Sequence, residues 1–259
     1  MTSRNILSIV TTDLFKRQFK WTMAFLGMML LVNLLKIGQG IIYDTGIDDY
    51  FSLAIIAGNI YMFVIGIICI FFLKYFVEHG VTRKDYSKGS LIVATSLAII
   101  IPIITFVIYK LQMLTIGNLV QFNESHLNDI ATDIDKQTSI IDDIVVALST
   151  APYIDPNEQA ILALGIFSLN LLFNYLAGWL IGAAFQFPLA VGLGTIAVTG
   201  GLIVIQDALV RIFLEIPVLP RFEFMIDTPK PVTILSILIL LGTITLIIQR
   251  LTKKTVVKM

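Results

Sequence analysis

Six long apolar runs alternate with polar segments along the chain. Each run approaches or exceeds the roughly 20 apolar residues that an α-helix needs to cross the hydrocarbon core of a bilayer. The pattern therefore predicts an all-α membrane protein with six transmembrane helices, and an even number of spans places both termini on the same side. The predicted spans are 22–42, 53–73, 89–115, 159–181, 188–206 and 232–248.

The first 21 residues have a different pattern from the runs that follow. Apolar Ile6, Ile9 and Val10 are interspersed with polar residues, and the basic residues Lys16 and Arg17 follow within the next two turns. A helix that is apolar on one side lies in the membrane interface rather than crossing it. We therefore expect an interfacial helix over 1–21, ahead of the first span.

The distribution of charge sets the expected orientation. Of the 259 residues 57% are hydrophobic and only 14% are charged, whereas soluble domains carry about a quarter charged residues. Twelve Lys and Arg residues fall on the side of the termini and of segment 74–88, and five fall on the other side. Because the side richer in Lys and Arg is cytoplasmic, we expect a multi-pass protein of the cell membrane with both termini and segment 74–88 in the cytoplasm.

Two segments are predicted to lie outside the membrane on the opposite side. Segment 116–158 is strongly acidic, with Lys136 as its only basic residue, and its apolar positions predict short helices. Four prolines punctuate the mixed apolar and charged stretch between the fifth and sixth spans, and one arrangement open to this stretch is a dip into the outer leaflet. No repeat or long linker divides the chain, so we expect a single membrane domain over 1–259.

No residue pattern points to catalysis on this chain. There is no G-x-x-x-x-G-K-[ST] phosphate loop, and hence no nucleotide site of that type. His79 and His126 are the only histidines and fall on opposite sides of the predicted membrane, so they cannot share a zinc ion. Cys69 stands alone in an apolar run. We therefore expect no catalytic residue, metal or cofactor on this chain.

A few ionisable residues fall in or next to the spans. Lys36 lies near the outer end of the first span, where it is expected to extend towards the surface or to pair with an outer acid. Asp207 and Arg211 are four residues apart at the outer end of the fifth span, which suits an ion pair along one helix. A structural role is the expectation for all three.

Polar and small residues recur every four positions in the fourth span. Asn170, Asn174, Gly178 and Gly182 share one face of the predicted helix. Small residues let helices approach closely and amides bond between them. Two interpretations stay open: helix packing, including packing at a subunit interface, or a polar strip beside a substrate path.

The break between the second and third spans, residues 74–88, is short and highly charged. It can form a short helix over 75–86 or a turn around Gly80. One interpretation is a solvated loop whose basic residues only set topology. The other is a docking element for a protein outside the membrane.

A resemblance favours the docking interpretation. The run GVTRKDY over 80–86, followed by Gly89 and Ser90, resembles the segment after the second span in type-2 ATP-binding-cassette exporter permeases of Gram-positive bacteria. Those permeases also have an interfacial N-terminal helix, six spans, both termini inside and an outer segment between the last two spans. The resemblance covers the whole architecture, although the motif itself is only about ten residues long.

The resemblance implies that transport and ATP hydrolysis are carried out by separate subunits. In that family the cytoplasmic break contains a coupling helix that docks on a separate ATPase subunit, which holds the ATP and Mg²⁺. Two permease copies normally pair around the transport path, so a homodimer is expected. By position, the docking residues would be Phe76, Glu78, Val81, Thr82, Arg83, Lys84 and Tyr86.

The acidic outer segment bears on the substrate. It is similar to that of exporters of amphipathic cationic peptides, such as those for phenol-soluble modulins. Two interpretations stay open: negative charge that attracts a basic peptide substrate at the exit, or a plain solvated surface. Membrane lipid is a further expected partner, and nucleic acid is not. The alternative function is a membrane-embedded enzyme, or a sensory or assembly protein that works alone. The scarcity of catalytic groups in the spans argues against the enzyme.

Overall fold

The computed structural model describes residues 3–43, 46–117, 122, 139–149 and 154–254. Throughout these ranges the secondary structure is helical, without a β-strand. Six of the helices are long and apolar enough to cross a membrane, as the sequence predicts. In chain order the α-helices are α1 Ser3–Tyr43, α2 Tyr50–Glu78, α3 Arg83–Ile116, α4 Ile140–Ser149, α5 Ala160–Ala184, α6 Leu189–Leu214 and α7 Lys230–Lys254, and a 3-10 helix spans Pro220–Met225.

Several helices extend beyond the apolar runs that predicted them. Helix α6 continues to Leu214 rather than ending near 206, and α2 continues to Glu78 rather than ending near 73. Charged residues do not end these helices because they pair along the helix. Asp207 bonds to Arg211 within α6, and Lys74 lies 3.8 Å from Glu78 in α2.

The expected interfacial helix over 1–21 is not a separate element. Residues of that segment and the first span form one helix, α1, of 41 residues. At 1.5 Å per residue it is about 61 Å long, twice the hydrocarbon thickness. Its early apolar positions Val10 and Leu14 are buried against the protein rather than facing the membrane interface. No Gly or Pro separates the two parts, so the helix continues without a break into the span.

One end of the bundle collects the basic residues. The start of α1 lies beside the start of α3, where Val10 is in close contact with Gly89. The end of α7 reaches the same level, since Arg83 donates a 3.0 Å hydrogen bond to the carbonyl oxygen of Lys253. We call this the basic end, after the residues on these helix ends: Lys16, Arg17, Lys20, Lys74, Arg83, Lys84, Lys88, Arg250, Lys253 and Lys254.

The opposite end contains the polar segments between the later spans. Helix α4 confirms one short helix within 116–158; residues 118–121, 123–138 and 150–153 of that segment lie outside the described ranges. Asp143 of α4 lies 2.7 Å from Arg221 of the 3-10 helix. Ile144 packs over Gly200 of α6. Helix α4 thus covers α6 around Gly200. The predicted dip of the stretch between the fifth and sixth spans into the leaflet stays a prediction.

The most extensive helix contact is between α2 and α5, which run parallel. A Cβ added at Gly178 would collide with the backbone carbonyl of Phe63, and one at Gly182 would come within 2.6 Å of the carbonyl of Ile67. Gly66 has the same relation to the carbonyl of Tyr175. The glycines therefore let the two backbones touch, which is how small residues drive helix association in lipid.

Because of this contact, we expect alanine substitutions at two glycines of α5 to differ in their effect on stability. Gly178→Ala forces the α2 and α5 backbones apart, and we expect a loss of stability of about 1–3 kcal/mol, as for other overpacked sites. Gly165→Ala is the matched control, because a Cβ there meets nothing within 4 Å. Thermal unfolding of the purified protein in detergent, followed by tryptophan fluorescence, should show a clearly lower Tm for Gly178→Ala only. Equal Tm values would contradict the backbone contact.

Candidate docking surface at the basic end

The predicted coupling helix is replaced by a tight turn. Helix α2 runs on to Glu78, residues 79–82 turn, and α3 begins at Arg83. The amide of Gly80 donates to the carbonyl of Val77 at 3.0 Å, and that of Val81 donates to Phe76 at 3.0 Å. With Gly80 at φ +81°, this is the Schellman arrangement that ends helices. The expectation of a separate helix over 75–86 is wrong, and the alternative turn around Gly80 is confirmed.

Thr82 restarts the chain as a helix. Its backbone is extended, and its hydroxyl oxygen accepts a 3.1 Å hydrogen bond from the amide of Asp85. The same hydroxyl donates to the Asp85 carboxylate at 2.7 Å. A Thr N-cap with an acid in the first turn satisfies free amides and complements the helix dipole. The role of Thr82 in the structure is therefore to fix where α3 starts.

Two of the seven predicted docking residues lie in the protein interior. Phe76 is 4% exposed and Tyr86 is fully buried, with the two ring centroids 5.8 Å apart. The Tyr86 hydroxyl donates to the backbone carbonyl of Cys69. Tyr86 has no exposed surface, so the expectation that its side chain contacts an ATPase is wrong. Phe76 is nearly buried but lines the groove beside the turn, so its docking role stays a prediction. Both side chains also anchor the turn to α2.

The remaining predicted docking residues lie at or near the surface. Glu78, Thr82 and Lys84 are exposed, while Val81 and Arg83 are partly exposed. Arg83 is held by its bond to the α7 carbonyl described above. The turn is thus fixed to α2, α3 and α7, and presents both an acid and a base to solvent.

A groove of about 270 Å³ adjoins the turn. Its lining combines apolar positions of early α1 with the end of α2, and includes Ile9, Asp13, Tyr75, His79 and Val81. The α1 residues were missing from the predicted site. The one-sided pattern of 6–20 signalled a buried face, but only the packing brings that face beside the turn.

Aromatic and charged side chains on the edge of this groove are tied together. The Arg17 guanidinium lies 4.9 Å from the centre of the Tyr75 ring, a cation–π contact. Arg17 also lies 3.4 Å from the Asp13 carboxylate. The His79 ring packs against Tyr75 and its Nδ1 lies 2.7 Å from the Tyr75 carbonyl oxygen.

No protein-family model, curated protein or solved structure matches this chain.

The polar face of the fourth span, which is helix α5, contacts other helices of the same chain. Gly178 and Gly182 contact α2, so this part of the face is covered and is not a free surface for a second copy. The Asn170 side-chain oxygen accepts a 2.8 Å hydrogen bond from Gln206 of α6. Asn174 donates to the Asn170 carbonyl at 2.9 Å. Of the two interpretations, helix packing is the one that these contacts support.

The ionisable residues near the spans behave as structural groups. Lys36 lies 3.4 Å from the carboxylate of Asp48, which is the expected pairing with an outer acid. The Arg211 Nε donates to Asp207 at 2.6 Å, which confirms the pair. Both partners are buried, and Arg211 reaches the carbonyl of Pro217 at 3.3 Å. The sequence suggested a surface pair at a helix end, but α6 continues past it and neighbouring elements cover it.

The turn generates a prediction about Gly80. Because Gly80 has φ +81°, Gly80→Ala places a Cβ in the left-handed region and should cost about 1 kcal/mol or more. Gly242→Ala is the control, since that glycine lies in open space within α7 without a positive φ. Limited proteolysis in lipid nanodiscs should cut faster between 78 and 83 in Gly80→Ala alone. Unchanged cleavage would contradict the strained turn.

The buried ion pair gives a second prediction. Asp207→Asn leaves the Arg211 charge without its counter-charge and should cost about 3–5 kcal/mol of stability. The double change Asp207→Leu with Arg211→Met removes both charges and should recover most of that loss. Thermal unfolding of the three proteins in detergent separates these cases. A double variant no more stable than the single one would contradict a simple charge-pair role.

Proposed function

We propose that this chain is the membrane subunit of an ATP-driven exporter of the type-2 ATP-binding-cassette class. In this proposal the turn between α2 and α3 docks on a separate cytoplasmic ATPase, which holds ATP and Mg²⁺. The observation that carries the proposal is the fixed, charged turn beside an apolar groove at the basic end. Such a surface suits a protein partner because it offers both an apolar pocket and a polar rim.

The attachment of the turn supports a mechanical role. Tyr86 and Phe76 join it to the core, and Arg83 joins it to the end of α7. A displacement of the turn would therefore move α2, α3 and α7 together. From α2 it passes to α5 through the backbone contact at Gly66 and Gly178.

The remaining parts of the proposal concern orientation, assembly and substrate. The basic end faces the cytoplasm, with both termini, in keeping with the excess of Lys and Arg on that side. Two copies pair around the path in a homodimer. The substrate is an amphipathic or cationic peptide, a choice supported by the acidic composition of segment 116–158.

Copurification with the ATPase tests the proposal. Full-length protein extracted from its own cells in mild detergent should retain a nucleotide-binding ATPase. Lys84→Glu reverses an exposed charge on the turn and should weaken this binding about tenfold, equivalent to about 1.4 kcal/mol. Glu223→Lys is the control, because it reverses an exposed charge at the opposite end.

Quantitative pull-down of the ATPase by wild type, Lys84→Glu and Glu223→Lys gives the measurement. We expect loss only for Lys84→Glu. Equal binding by all three proteins would reject the turn as the docking site. Transport by protein from which every ATPase has been removed would reject the exporter class itself.

A further inference from the structure

A long apolar groove lies between α5 and α7 towards the end of the bundle opposite the basic end. Its volume is about 770 Å³, within the range of roughly 300–1,000 Å³ that is usual for small-molecule sites. Apolar residues of α5, α6 and α7 form its walls, among them Ile161, Leu169, Phe213, Ile234 and Leu238. Ile161 and Leu238 are exposed, so the groove opens sideways towards lipid.

The groove is continuous with a second, more polar chamber of about 370 Å³. Glu158, Gln159, Leu162 and Phe213 line both spaces. Glu158 thus stands at the junction of an apolar space and a polar one. An apolar channel that ends in a polar chamber matches the shape of an amphiphile rather than that of a uniformly polar solute.

The charged residues that line the chamber have a net negative charge. Its Lys230 is engaged by Glu215 at 2.8 Å, and the hydrogen bond from Lys230 holds the pKa of the Glu215 carboxyl below its usual value. These two charges offset each other. Asp155 and Glu158 also line the chamber, and no ion pair to either is found among the residues that the structure describes. The chamber therefore favours a cation.

We propose that this groove and chamber bind a membrane amphiphile with a cationic head group. The hydrocarbon tail would lie in the groove between α5 and α7, and the head group would lie in the chamber near Asp155 and Glu158. Water is a poor occupant of so apolar a groove, and an anionic head group would be repelled by the two carboxylates. Binding at this site needs no ATPase, so this proposal can be tested independently of the exporter proposal.

The chain offers an open position from which a side chain can be added to the groove. Gly165 lines the groove, and a Cβ built there meets nothing within 4 Å. Gly165→Leu therefore places a side chain into the space that the tail would occupy. Gly194→Leu is the matched control: Gly194 is also in open space but lies on α6 away from the groove.

Photo-crosslinking with paired probes tests the proposal. The probes are a hexadecyl trimethylammonium and a hexadecyl sulfate, each with a diazirine in the tail, added to full-length protein in phosphatidylcholine nanodiscs. Adducts are mapped by mass spectrometry. We expect the cationic probe to label peptides covering 157–169 and 234–238 in preference to the anionic probe. Gly165→Leu should abolish this labelling, and Gly194→Leu should leave it unchanged.

The charge contribution is tested by Glu158→Gln, which should reduce the preference for the cationic probe about fivefold, as expected for a solvent-exposed ion pair. Equal labelling by both probes in wild type would overturn the proposal and leave only a lipid-exposed apolar surface. Labelling that survives Gly165→Leu would overturn it as well. A change in oligomeric state on Gly165→Leu, measured by light scattering, would assign the groove to a contact between copies instead.

Discussion

The direct backbone contact between α2 and α5 sets the geometry of this bundle. Lipid is as apolar as the helix surfaces, so burial of apolar area supplies little drive for helices to associate. Close packing has to supply it, and Gly66, Gly178 and Gly182 allow carbonyl groups of one helix to touch the other. Other contacts build on this pair: Tyr175 of α5 bonds to Gln18 of α1 at 3.1 Å, and so brings the long first helix into the core.

The two ends of the bundle differ in how their polar groups are satisfied. At the basic end the turn is fixed from within by Tyr86 and from the side by Arg83, and the side chains of Glu78 and Lys84 face solvent. At the other end three ion pairs join different elements: Lys36 with Asp48, Asp143 with Arg221, and Glu215 with Lys230. The carboxylates of Asp155 and Glu158, beside the lateral groove, have no ion pair within the described part of the chain. A turn that is held by internal contacts and carries exposed charge suits an end that binds a protein. An apolar groove beside an acidic chamber suits the binding of an amphiphile.

Local sequence features predicted local structure well. Four-residue spacing predicted the Asp207–Arg211 pair, and the position of Lys36 predicted its pairing with an outer acid. Gly80 left a turn open as one of two possibilities, because few other residues adopt a positive φ cheaply, but the helix over 75–86 that the resemblance implied did not form. The candidate site was predicted only in part, because distance along the chain does not reveal which side chains of a turn face inward. Tyr86 was assigned to docking and is fully buried, while Asp13, more than seventy residues away along the chain, lines the groove beside the turn.

The sequence by itself determined that the chain forms six long helices, where most of them run, and which of their ends carry basic residues. Tertiary structure alone decided which face of each helix meets protein and which meets lipid. On α5, Ile161 is 89% exposed and Phe167 is 1% exposed, yet both are apolar. In a water-soluble protein the buried face of a helix is apolar and the exposed face is polar, so the sequence distinguishes them. In a bilayer the face that meets lipid is also apolar, so hydrophobic periodicity does not show which face is buried. The inward position of Tyr86 and the lateral groove both depend on that choice of face.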